Sequence, residues 1–110
     1  MFNIDSETNA ITMIKKDTAS FDVTLDNYKL ADGDKVTFTI APELEMKNPL
    51  LQKRVTSFSE EGYAFFFLSQ EDTDLDIGTY YYDIQVDTAD GRTDTIIGPA
   101  KFKIVGGVTY

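Results

Sequence analysis

Three aspartates at alternate positions, Asp72, Asp74 and Asp76, are the residues in this chain whose type and spacing most directly suggest chemistry. Carboxylate oxygens are the ligands a hard cation such as calcium takes. A helix-loop-helix calcium loop counted from Asp72 requires glycine at its sixth position and a bidentate glutamate at its twelfth, where this chain has Ile77 and Asp83. A looser calcium site between strands is therefore the only candidate metal site, set against a solvated acidic turn. Glu60-Glu61 with Glu71 or Asp72 forms a second carboxylate group, of the type that hydrolyses glycosides when two acids flank a cleft. A small β-domain seldom builds such a cleft. Histidine and cysteine are both absent, which removes Cys/His zinc sites, histidine bases and cysteine nucleophiles. Serine and threonine hydroxyls are plentiful, but no base is arranged to activate one. The expectation is a protein with no catalytic residue and no cofactor.

Aromatic side chains offer more. In Tyr63-Ala64-Phe65-Phe66-Phe67-Leu68, Phe65 and Phe67 point opposite to Phe66 and Leu68 if the segment is extended, so both faces are apolar. A sheet with one solvated face shows alternation instead. Either the segment 42–52, with Leu50 and Leu51, covers the second face, or another subunit does. Phe65, Phe67 and Tyr81 exposed together would form an aromatic patch of the kind soluble monomers avoid. These five residues are the interface candidates. A platform that stacks on carbohydrate is a more remote use of the same rings.

The elements that must position these groups follow a period of two; a helical period is nearly absent. Ile11 and Met13 share a face, as do Phe21, Val23 and Leu25 against Asp22, Thr24 and Asp26. In Lys35–Ala41, Val36, Phe38 and Ile40 turn inward and threonines fill the outward positions, where a branched side chain suits the pleat. Such half-apolar strands belong to antiparallel sheets. Ala-Asp-Gly turns close residues 31–33 and 89–91, with glycine free to take positive φ. Lys53–Phe58 and Tyr63–Ser69 read as a hairpin across Ser59-Glu60-Glu61-Gly62. The segment 42-PELEMKNPLLQ-52 reads as a helical turn or a loop over one end of the core. Gly98-Pro99 interrupts the last strand, as proline does at an edge or a bulge. Seven strands result, near 10–15, 20–26, 35–41, 53–58, 63–69, 79–87 and 93–105. Seven short strands at this spacing predict a single all-β domain over residues 1–110, an antiparallel β-sandwich.

Asp76-x-Gly78-x-Tyr80-x-Tyr82 gives that sandwich a closer form. It resembles the D-x-G-x-Y-x-C pattern of immunoglobulin-like domains, in which a tyrosine near the start of the sixth strand bonds back to the backbone at a corner. The motif falls on the strand counted sixth, with Tyr82 in the cysteine position. Tyr80 is thus expected as a structural corner, and Tyr80, Tyr82, Ile84 and Val86 as inward-facing residues.

Residues 70–110 carry a second resemblance. Thr73-x-Leu75-x-x-Gly78-x-Tyr80-x-Tyr82-Asp83-Ile84-Gln85, then Asp90-Gly91, Thr95-Ile96-x-Gly98 and Phe102-x-Ile104, resemble small β-sandwich proteins of phage and prophage structural cassettes. Among these are domains similar to the amino-terminal part of baseplate upper proteins. That resemblance implies a non-enzymatic virion or tail component that assembles with other phage structural proteins or with itself as a homo-oligomer. It implies a location in the virion, or in the bacterial cytoplasm during assembly. The alternative reading is a carbohydrate-binding or cell-surface adhesion module.

Composition sets the outer limits. A 42% hydrophobic and 26% charged content is that of a folded domain rather than a disordered chain. Ten basic against nineteen acidic residues give a net charge of −9. A field of that sign repels phosphate backbones and anionic lipid, so neither nucleic acid nor a membrane surface is an expected partner. No apolar run approaches a membrane span, and the start Met-Phe-Asn-Ile-Asp-Ser-Glu does not resemble a signal peptide.

Overall fold

Among the described residues, period-two alternation is realised as eight strands and no helix. The structure is a computed structural model that describes residues 2–4, 7–25 and 28–107. Asp26, expected to face outward, lies outside them. The strands are β1 (Phe2–Ile4), β2 (Ile11–Ile14), β3 (Ala19–Val23), β4 (Lys35–Ala41), β5 (Leu51–Val55), β6 (Ala64–Leu68), β7 (Gly78–Asp87) and β8 (Thr93–Val105). Six of them form a curled half-barrel sheet in the order β1-β2-β8-β7-β4-β5, and β3 pairs with β6 in a second sheet.

The inward residues of the two sheets meet in one core. Phe38 of β4 lies at its centre, with ring centroids of Phe21, Phe66, Tyr82 and Phe102 at 5.4, 6.1, 5.5 and 6.4 Å. Phe21 and Phe66 stack across the β3–β6 pair at 5.3 Å. Edge-on and offset rings of this kind add roughly 0.5–1.5 kcal/mol per pair beyond the area they bury. Ile11, Met13, Val23, Val36, Ile40, Ile84, Val86 and Ile104 fill the space around them.

Three expectations about strand pairing are corrected. Residues 53–58 and 63–69 do not form a hairpin: β5 pairs with β4 and β6 with β3, in different sheets. A short glycine-ended link fits a hairpin and a crossing between layers equally well. The decisive contact is the return from β4 into β5, closed by Leu50 N–H donating to Ile40 C=O at 2.8 Å. Segment 42–50 is therefore the loop of that hairpin, and its exposed Leu44 and Leu50 cover nothing. Pairing is also not antiparallel throughout, because β2 runs parallel to β8, a partner distant enough in sequence to need no tight turn. Finally, β1 is an additional strand, three residues long and paired antiparallel with β2.

The outward threonines of β4 differ from expectation as well. Thr37 and Thr39 are buried, because β4 lies between β5 and β7 and long side chains from β5 fold over it. Arg54 Nε donates to Thr37 Oγ1 at 3.4 Å and Gln52 Nε2 to Thr39 Oγ1 at 3.2 Å, so both hydroxyls are satisfied without bulk water.

Tyr82 occupies the centre of β7 almost wholly out of water, and its hydroxyl donates to the Asn9 carbonyl at 2.5 Å. Burial pushes its pKa up to about 12. The neutral phenol is thus favoured in the folded state. Its contribution is complete below the unfolded value, near pH 10, and is lost as pH rises through 12. Unfolding measured between pH 9 and 12 is expected to show an alkaline loss of about 2 kcal/mol that Tyr82→Phe lacks. Parallel pH curves for the two proteins would refute that assignment.

Candidate functional site

β6 owes its two faces to simple alternation. Ala64, Phe66 and Leu68 enter the core, so Tyr63, Phe65 and Phe67 must line the opposite side, where they are 43%, 59% and 49% exposed. Opposite them on β3 stand exposed polar residues, with Ser20 paired to Phe67 and Asp22 to Phe65. Among the described residues β3 and β6 pair only with one another, so each strand keeps one edge without a ladder partner. The result is an aromatic stripe on a narrow, open-edged sheet.

The five interface candidates are not brought together. Phe65 and Phe67 share this stripe, and Tyr63 extends it, a residue whose place at the same parity already signalled it. Tyr81 is half-buried on the outer face of the six-stranded sheet, paired with Ala41 and Lys101, on the opposite side of the molecule. No patch joins it to the phenylalanines. Leu51 is half-buried at the start of β5 and packs against the core, whereas Leu50 beside it is exposed. The physical reason is that β6 and β7 belong to different layers, which places their outer faces back to back.

The aspartates of the loop after β6 serve the fold. Asp72 accepts the Ser69 N–H at 2.8 Å and pairs with Lys53 Nζ at 2.5 Å, a bridge from β5 of one sheet to the loop leaving the other. Burial raises the Asp72 pKa, but Lys53 and the Ser69 backbone outweigh it and hold the carboxyl below its ordinary value. Asp74 pairs with Lys15 at 3.5 Å. Asp76 is exposed. Among the described residues no three carboxylates come together as a group able to hold a metal. Glu60 and Glu61 lie before β6, and Glu71 and Asp72 beyond it. A five-residue strand sets those ends about 17 Å apart, outside the range of a glycosidase pair.

Tyr80 takes the corner position. Its hydroxyl donates to the Asp76 carbonyl at 2.6 Å, four residues back, and fixes the chain where it turns into β7. Buried Thr73 anchors the same loop from the other side, its hydroxyl donating to Asp17 C=O at 2.7 Å. Tyr80→Phe keeps the ring and is expected to cost about 1 kcal/mol in denaturant unfolding; no loss would remove the corner role.

No family model, curated protein or solved structure matches the chain. Beside the stripe, the molecule has an apolar cleft of about 310 Å³ between β3 and β8, with Phe21, Tyr82, Ile84, Ile96 and Ile97 among its walls. Among the described residues no helix is long and apolar enough to cross a membrane.

Proposed function

We propose that this chain is a non-enzymatic assembly module with an immunoglobulin-like fold, of the type found among phage or prophage tail and baseplate proteins. The order β8-β7-β4-β5 facing β3-β6, with a tyrosine corner entering β7, supports the immunoglobulin-like reading. The phage assignment rests on the sequence resemblance over residues 70–110. The observation that carries the functional reading is the stripe Tyr63, Phe65 and Phe67, three large rings side by side in water on a sheet with unpaired edges. Surfaces of that type mark protein association. They also favour partners over glycans: the stripe lies along a strand edge that can pair with another main chain, which a carbohydrate platform does not need.

Light scattering of the purified chain, alone and mixed with structural proteins encoded beside it, tests this reading. An assembly that Phe65→Ser with Phe67→Ser disperses, while the thermal midpoint is held or raised, is the expected result. A strict monomer that binds none of those proteins would overturn it, and glycan binding lost with the same pair would favour adhesion.

A further inference from the structure

We infer that the stripe receives an extended, cationic segment of another protein, laid along the free edge of β6, rather than a second copy of this chain. The inference rests on the assembly reading above and names the partner it requires. β6 contains neither proline nor any charged residue, two of the devices that stop an edge strand from recruiting another. Its open edge and its exposed rings thus offer main-chain hydrogen bonds and alternate apolar contacts to one incoming strand.

Charge decides what that strand is. Residues 56–91 carry nine carboxylates and no lysine or arginine. Around the stripe, Asp22 stands opposite Phe65, Glu60 and Glu61 precede the strand, and Glu71 follows it, all of them exposed. Asp72 and Asp74 are held by Lys53 and Lys15, whereas no ion pair engages Glu60, Glu61 or Glu71 among the described residues. Two lysine side chains come near: the stem of Lys29 lies against Gly62, and Lys53 reaches the loop after β6, where its charge is already paired with Asp72. Two copies pairing β6 to β6 in antiparallel fashion would place Glu60 and Glu61 of each beside Glu71 of the other. Like charges meeting at both ends of a short ladder oppose that arrangement. A segment alternating apolar and basic residues meets the same surface with complementary charge at each end, and loses little in doing so.

The test uses blocked peptides of about eight residues as probes, at low ionic strength, with amide shifts of the intact chain as the readout. One peptide alternates lysine and valine, one alternates glutamate and valine, and one is the lysine peptide N-methylated at alternate positions. The lysine peptide is expected to shift the amides of Ala64–Leu68 and to bind at least about tenfold more tightly than either of the others. Phe65→Ser with Phe67→Ser should weaken it about tenfold, and added salt several-fold. Equal binding of the glutamate peptide, undiminished binding after N-methylation, or shifts that map elsewhere would overturn the inference. So would dimers of the chain that the same substitutions disperse, an outcome that leaves the assembly reading standing. Phenylalanine substitutions that alter neither peptide binding nor any association would remove both.

Discussion

Asp34→Ala is expected to destabilise the fold by about 4 kcal/mol, lowering the thermal midpoint by on the order of 15 °C. Asp34 is 2% exposed, and its carboxylate accepts from three donors at once. The Tyr28 hydroxyl reaches its two oxygens at 3.0 and 2.9 Å, the Ala31 N–H lies at 3.0 Å, and the Ala89 N–H at 2.9 Å. The last of these ties the loop before β4 to the turn between β7 and β8. At that junction the loops are so close that a Cβ on Gly33 would lie 2.9 Å from the Ala89 Cβ. Alanine would leave two backbone donors and a phenol without their acceptor, which costs more than the hydrogen bonds themselves are worth. The Ala31 N–H first, then those of Ala89 and Tyr28, hold the carboxyl below its ordinary pKa against the opposing effect of burial. Its contribution is therefore fully present above the unfolded value, near pH 4, and is lost as pH falls through the lower folded one. Asp34→Asn should accordingly flatten the acid limb of the stability curve and cost less than alanine. Denaturant midpoints for Asp34→Ala within about 1 kcal/mol of the parent would show that water replaces the carboxylate.

Of this network the sequence revealed only the turn. Ala31-Asp32-Gly33-Asp34 announces a tight reversal, and Gly33 does adopt φ of 97°. Nothing local shows that the second aspartate turns inward to hold a loop 55 residues away. The strands were more legible, because alternation is written in adjacent residues. Ile11 and Met13, then Val36, Phe38 and Ile40, and Tyr82, Ile84 and Val86 all enter the core as their period requires. Pairing was legible where a tight turn specified it, as between β7 and β8 across Ala89-Asp90-Gly91. The link 59–62 carries turn residues that suit a hairpin, yet β5 and β6 separate into two sheets. That choice is made by their partners: β4, which takes β5 into a hairpin, and β3, distant in sequence, which takes β6.

The candidate site followed the same division. Phe65 and Phe67 could be placed together because they sit two apart on one strand. Tyr81 could not be excluded from their company, because its face depends on which layer β7 joins. The burial of Thr37 and Thr39 escaped for a related reason: a polar outward position looks solvated until the neighbouring strand supplies Gln52 and Arg54 to cover it.

Gly98→Ala, in β8, is expected to destabilise the fold by about 3 kcal/mol. The register of β7 against β8 shifts here: Tyr82 faces Ala100 and Ile84 faces Ile97, so Gly98 and Pro99 together oppose Asp83. Gly98 carries a φ of 150°, which side-chain-bearing residues seldom adopt, and an added Cβ would collide with the Asp83 Cβ and lie 3.2 Å from its Cα. Neither strand can yield easily, since Tyr82 and Ile84 on either side of Asp83 are locked in the core. Overpacking and backbone strain each cost on the order of 1–3 kcal/mol, and alanine at this position incurs both. The two parts can be separated by a double-mutant cycle. Asp83→Gly removes the Cβ that blocks position 98 and should recover roughly half of the loss from Gly98→Ala, leaving the backbone strain in place. Full additivity of the two substitutions would mean that the bulge relaxes around the new methyl, and that the close approach of β7 and β8 does not depend on glycine.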